Sequence, residues 1–187
     1  MRPASLAAIL YEPGEGQTVD DLLANIAGQL AKQNVRLAGT IQRAAPRPDR
    51  CACDMIMIDL GSGDEIPISE DRGPDARGCR LDVRALETLV GSTAAALERG
   101  ADLLIINKFG KREAEGAGFR QVIAAAASEG IPVLVAVNRD NAPAWRAFAG
   151  DLGVELVPEE AALQAWCEAT LERDEMRAFD GTSIAAE

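Results

Sequence analysis

Short apolar runs recur along the chain, and stretches with helical spacing of apolar residues lie between them. A continuous apolar run that ends at a turn is typical of a strand buried in a parallel sheet. Residues 6–11 form such a run, and further strands are predicted at residues 35–41, 102–106, 131–137 and 153–157. The intervening helices are predicted to begin at Thr18, Asp82, residue 118, Asn141 and Pro158. The second is predicted to end near Arg99 and the last near Arg173.

Strands that alternate with helices predict an α/β fold with three layers and a mainly parallel sheet. Residues 54–60 and 65–68 flank a glycine-containing turn, so a β-hairpin is predicted as an insertion. The length of 187 residues suits one domain. We assign that domain to residues 1–175 and a flexible tail to residues 176–187.

Three predicted loops follow strands at the edge of the sheet where α/β proteins bind ligands. They begin at Tyr11, Asn107 and Asn138. The first is a degenerate P-loop: the nucleotide-binding motif is G-x-x-x-x-G-K-[ST], and residues 11–18 read YEPGEGQT. Gln17 stands where the motif has lysine. The loop is therefore P-loop NTPase-like but lacks the positive charge of that lysine.

The first loop has three interpretations. It is an ordinary connection between a strand and a helix, a remodelled anion site, or a working nucleoside triphosphatase loop. The anion site is possible without a lysine because the N–H groups at a helix N-terminus bind anions. The candidate ligand-binding residues are Gly14, Gly16, Gln17 and Thr18.

A second candidate is the loop at residues 71–82, DRGPDARGCRLD. Arginine donors and glycine backbone groups suit an oxyanion or phosphate clamp. A thiol beside arginines near a helix start is also a candidate nucleophile. The alternative is a solvated loop in which its aspartates pair with its arginines. The candidate residues are Arg72, Arg77, Gly78, Cys79 and Arg80.

The third candidate is the loop NKFGKREAEG at residues 107–116. Asn107 and Lys108 end the most apolar strand, and the candidate ligand-binding residues are Asn107, Lys108 and Lys111. Lys108 or Lys111 is a candidate replacement for the missing P-loop lysine. In an enzyme, Glu113 or Glu115 would act as base or position Mg²⁺, and Lys108 would assist. The alternative is a surface turn with weak local ion pairs.

Composition narrows the chemistry. Histidine is absent, which excludes histidine triads and common zinc sites, so we expect no metal centre. The net charge of −11 argues against nucleic acid and anionic membranes as partners. The four cysteines and the lack of a signal-like segment predict reduced thiols and a cytoplasmic location. A homodimer is compatible with the pattern but not required by it.

Two strings, RGPDARGCRLD at 72–82 and DLLIINKFGKREAEGAG at 102–118, resemble the bacterial family known as domain of unknown function 2478. The resemblance covers about residues 5–158. It implies a fold similar to small P-loop nucleoside triphosphatases and a link to molybdenum transport or molybdoenzymes. Such triphosphatases use a Walker A lysine, and Gln17 departs from that pattern.

Three functions follow as hypotheses. The first is a protein that binds a small anionic ligand, either an oxyanion such as molybdate or the phosphate of a nucleotide. The second is a divergent nucleoside triphosphatase or transferase that uses a nucleotide with Mg²⁺. The third is a regulatory scaffold that has lost ligand binding.

Overall fold

The structure is a computed structural model that describes residues 6–45, 54–70 and 80–182. The longer strands are β1 (Leu6–Tyr11), β2 (Leu37–Ala45), β3 (Asp54–Asp59) and β4 (Glu65–Pro67), followed by two-residue strands β5 (Ser69–Glu70) and β6 (Arg80–Leu81), and then β7 (Leu103–Phe109), β8 (Val133–Asn138) and β9 (Gly153–Leu156). The helices are α1 (Gly16–Lys32), α2 (Val83–Glu98), α3 (Lys111–Ala114), α4 (Arg120–Glu129), α5 (Ala142–Ala149) and α6 (Glu160–Thr182).

Seven strands form one sheet in the order β4-β3-β2-β7-β8-β1-β9. Five adjacent strands of this order run parallel to one another, as βαβ connections require: β2, β7, β8, β1 and β9. β3 and β4 add to the edge in antiparallel pairing, which confirms the predicted hairpin insertion. In this order β7, β8 and β1 lie side by side, so the three predicted loops begin at the same edge of the sheet.

Both faces of the sheet are covered, as the predicted three-layer α/β architecture requires. Alternate residues of β1 separate into two hydrophobic clusters. Leu10 packs in the cluster that includes residues of α2, α4 and α5, and Ile9 packs in the cluster that includes residues of α1 and α6. The central strands are therefore buried on both sides, which explains their continuous apolar runs.

The start of α1 differs from the prediction. The helix begins at Gly16, with Glu15 as the N-cap residue and no side-chain cap, so Thr18 lies in the first turn and does not cap the helix. The predicted cap at Asp82 is confirmed, because its carboxylate accepts the backbone N–H groups of Arg84 and Ala85. The earlier start of α1 brings Asp20 into the second turn, where its side chain is buried.

β7 is longer than predicted. The strand continues through Asn107 and Lys108 to Phe109, and its pairing with β8 shifts register between Ile106 and Phe109. The charged residues that follow form the short helix α3 instead of a continuous loop. A strand with an irregularity at this point is consistent with a β-bulge, which redirects side chains.

The last helix is also longer than the pattern predicted. α6 runs to Thr182, beyond the predicted end near Arg173. Within residues 6–45, 54–70 and 80–182, no helix is both long and apolar enough to cross a bilayer.

Candidate anion site at the carboxyl edge of the sheet

The first loop presents unpaired backbone donors at the start of α1. Gly14 has a φ of +99°, which favours glycine at this position. The N–H of Glu15 donates to the carbonyl of Glu12 at 3.0 Å, and this turn leads directly into the helix. The N–H groups of Gly16, Gln17 and Thr18 have no acceptor among the described residues, as expected for a first helical turn. These donors and the helix dipole favour an anion here.

Lys108 of β7 reaches this helix start. Its Nζ would lie 3.9 Å from a Cβ built at Gly16, so the absence of a side chain there leaves room around the ammonium group. The same Nζ is 3.0 Å from Oδ1 of Asp20 and donates a hydrogen bond to Oδ2 at 3.1 Å. The Lys108 side chain is about one-third exposed, whereas that of Asp20 is almost fully buried.

Asp20 is the buried member of this ion pair. Only 2% of the residue is exposed, and burial raises the pKa of its carboxyl group above the usual range, whereas Lys108 acts to lower that pKa. Tyr11 lies at the end of β1 beside the same group. Burial raises the pKa of its phenol, and the negative charge of Asp20 raises it further. The pair therefore places a partly neutralised cation beside the unpaired N–H groups of α1.

Asn107 lies next to Lys108 but contacts β2. Its Oδ1 accepts the N–H of Gln42 at 3.0 Å, and its amide nitrogen is 3.4 Å from the side-chain oxygen of Gln42. With 3% of the residue exposed, Asn107 connects two strands across the sheet. A ligand contact by Asn107 stays a prediction.

The surroundings of the first loop are acidic. Glu15 accepts the N–H of Glu12 through Oε2 at 2.9 Å, and Gln17 donates to Asp21 at 2.9 Å. Arg139, directly after β8, forms an ion pair with Glu12 at 2.5 Å. Arg139 was not among the predicted site residues, although it lies in the loop that begins at Asn138 on this edge of the sheet. Its guanidinium group connects that loop to the first.

The carboxylate of Glu113 is engaged by its own loop. Oε2 accepts the N–H of Gly110 at 2.9 Å, and Oε1 accepts the N–H of Phe119 at 3.1 Å. A Cβ at Gly118 would lie 2.1 Å from Oε1, so this glycine, with a φ of +58°, allows the close approach. Only 5% of Glu113 is exposed. This geometry caps α3 and joins it to the start of α4.

The other charged residues of this segment are at the surface. Lys111 and Glu115 form an exposed ion pair at 3.7 Å, and both point away from the buried part of the segment. The roles assigned to Lys111, Glu113 and Glu115 in binding or catalysis remain predictions. Lys108 is the member of the third loop that the structure brings to the first.

The arginine–cysteine loop lies mostly outside the described residues. Arg72, Arg77, Gly78 and Cys79 fall in that part, and for Arg80 the structure describes the backbone in β6 but not the side chain. In the ranges that the structure covers, no group of three acidic or cysteine side chains could hold a metal ion.

The strand order and the helices on both faces of the sheet define the class of fold. The chain has a P-loop NTPase-like α/β fold, similar to the crystal structure of THEP1 from the hyperthermophile Aquifex aeolicus. That similarity has a TM-score of 0.60 at 18% identity and covers 88% of this chain and 95% of the other. It establishes the fold alone.

The family is shown by sequence. Residues 6–166 match the model of the family described as protein of unknown function DUF2478, and the chain belongs to that family. The chain is also 37% identical over 185 residues to the molybdenum import ATP-binding protein ModC 2 of Bradyrhizobium diazoefficiens. The match includes 99% of this chain but spans about a fifth of that relative's length.

Proposed function

We propose that this chain is a binding module with a degenerate P-loop that takes a small oxyanion at the N-terminus of α1. The ligand class is a tetrahedral dianion such as molybdate, or the terminal phosphate of a nucleotide. The main support for this proposal is the position of Lys108, whose ammonium group lies beside the start of α1, where the N–H groups are unpaired among the described residues. Lys108 thus supplies the positive charge of the motif lysine, which Gln17 lacks.

The charge around the site favours a small dianion over a full triphosphate. Lys108 is already paired with Asp20, and the exposed carboxylates Glu12, Glu15 and Asp21 lie on the same loop and helix. Each of them repels a further negative charge, at a distance where screening by salt is incomplete. Donors from the backbone cost no such repulsion, so compact oxyanions with two charges suit this site best.

The link to molybdenum is supported by a relative. A protein named as a molybdenum import ATP-binding protein contains a region 37% identical to this chain. A role of this module in molybdenum metabolism, with molybdate or tungstate as ligand, follows as part of the proposal.

Calorimetric titration with molybdate, tungstate, sulfate, phosphate and ATP with or without Mg²⁺ tests the proposal. We expect a tetrahedral dianion to bind to the wild type. The double variant Asp20→Asn/Lys108→Gln replaces the ion pair by a neutral pair of similar shape, and we expect it to lose that binding. Lys32→Gln, at the other end of α1, removes a lysine charge far from the proposed site and serves as the control.

Binding that survives in the double variant would contradict the assignment of Lys108. A wild type that binds none of the anions at millimolar concentration would reject the proposal and favour a regulatory scaffold.

A divergent hydrolase is the second candidate, because the fold is that of P-loop NTPases. The test is release of phosphate from ATP and GTP with Mg²⁺, compared between the wild type and Gln17→Lys, which restores the motif lysine. Activity in the wild type that is lost in the Asp20→Asn/Lys108→Gln variant would support it. Activity equal to a heat-inactivated sample would reject it.

A further inference from the structure

Lys108 has two possible partners within reach. Its ammonium group is in contact with both carboxylate oxygens of Asp20, at 3.0 and 3.1 Å. It also lies at the helix start where the proposed anion would bind, 3.9 Å from a Cβ at Gly16. An ammonium group has three donors, but its single positive charge is shared between the two acceptors.

We propose that Asp20 and the bound anion compete for Lys108, so that the anion enters together with one proton, which is transferred from solvent to Asp20. This inference rests on the proposed function and adds its regulation. Lys108 keeps its own proton and shifts its ion pairing from Asp20 to the anion. The complex therefore contains the dianion, the ammonium group and a neutral carboxyl group.

The groups around Asp20 support this exchange. Lys108 is the one cation in contact with Asp20 among the described residues. Asn107 of β7 also acts to lower the pKa of this carboxyl group, but it carries no charge. Asp21 on the same helix acts in the opposite direction. Tyr11 of β1 faces Asp20 as a neutral phenol, because its own pKa is raised.

Burial of Asp20 favours protonation of its carboxylate when Lys108 pairs with the anion. The side chain of Asp20 is 3% exposed, and one of its oxygens, Oδ1, has the lysine nearby but no hydrogen bond within the described structure. A buried carboxylate that loses its counter-charge binds a proton in preference to remaining charged. Burial already raises the pKa of Asp20, and withdrawal of Lys108 would raise it further.

The sign of the pH dependence follows by linkage. An anion complex that holds one more proton than the free protein is favoured by low pH. Where Asp20 is charged in the free protein and neutral in the complex, the affinity falls about tenfold for each unit of increase in pH. Asp20 therefore weakens anion binding at high pH and makes the affinity of the site depend on pH.

Sulfate is the probe for the experiment, because its charge does not change between pH 5 and pH 8. Titration calorimetry in two buffers with different ionisation enthalpies counts the protons taken up on binding. For the wild type we expect uptake that approaches one proton and an affinity that falls as the pH rises. For Asp20→Asn we expect no uptake, no pH dependence and at least tenfold tighter binding at pH 8.

Asp21→Asn is the matched control. It removes the same charge one residue away, from an exposed side chain that accepts a hydrogen bond from Gln17. We expect it to retain the proton uptake of the wild type. If Asp20→Asn does not fold, the proton count on the wild type and Asp21→Asn decides the question alone.

Two failures are distinguishable. Sulfate binding to the wild type without proton uptake, or weaker binding to Asp20→Asn than to the wild type, would overturn the competition and leave the anion site in place. No binding of sulfate to either protein at any pH, together with no binding of molybdate, tungstate, phosphate or ATP to the wild type, would reject the proposed function, and the competition with it.

Discussion

Replacement of Glu113 by glutamine separates a structural role of this carboxylate from a catalytic one. In the wild type both oxygens accept backbone N–H groups, from Gly110 at 2.9 Å and from Phe119 at 3.1 Å. Glutamine keeps one acceptor and turns an NH₂ donor toward the other N–H group. Glu113→Gln therefore loses one hydrogen bond to a charged acceptor, and it brings two donors together at a site where Glu113 is only 5% exposed.

The magnitude follows from the hydrogen bonds. A hydrogen bond to a charged group contributes about 1.5–3 kcal/mol, and a buried donor left without its acceptor costs about 1–3 kcal/mol; both figures describe the same lost bond and are not summed. We expect Glu113→Gln to lower the free energy of unfolding by about 2–3 kcal/mol. For a chain of this size that corresponds to a fall in Tm of about 4–12 °C.

Equilibrium unfolding in urea, followed by circular dichroism, measures this change. Glu115→Gln is the control, because Glu115 lies two residues away and forms only an exposed ion pair at 3.7 Å. We expect the control to remain within about 0.5 kcal/mol of the wild type. Equal stability of Glu113→Gln and Glu115→Gln would refute the structural role and make the Glu113 carboxylate available for chemistry.

Three further expectations concern charge, thiol chemistry and packing. Arg36 holds the pKa of Asp102 below its usual value, so Asp102→Asn should destabilise the protein at neutral pH. That difference should disappear in urea unfolding as the pH falls through the lowered pKa, and a difference that persists at low pH would contradict the ion pair. Burial raises the pKa of Cys167 to about 12, so peptide mapping after iodoacetamide treatment at pH 8 should find this thiol unmodified until the protein is unfolded. Gly39→Ala should lower the free energy of unfolding by more than about 3 kcal/mol, because Gly39 has a φ of +107° and the added Cβ would lie 1.9 Å from a carbonyl oxygen of β7. Gly28→Ala, with open space around it on α1, should raise the free energy of unfolding by about 0.5–1 kcal/mol in the same assay.

Local patterns were sufficient for most of the secondary structure. Apolar runs predicted the strands of the parallel sheet, because a strand that is buried on both faces needs apolar side chains on both. The asparagine at the end of β8 and the glycine-rich turn after β1 marked the carboxyl edge. The predicted end of β7 was wrong because a polar residue is buried there. Asn107 continues the strand, since its side chain bonds to Gln42 of β2.

What the sequence by itself determined is the class of fold, the hairpin insertion and the loop in which Gln17 replaces a lysine. These features depend on residues close to one another in the chain. The spacing of apolar residues in such segments indicates which positions are buried. Only the tertiary structure decided that Lys108 pairs with Asp20, 88 residues away, and that Arg139 reaches Glu12. The order of β7, β8 and β1 in the sheet brings these charges together, and an ion pair between distant segments leaves no periodic signal in the sequence.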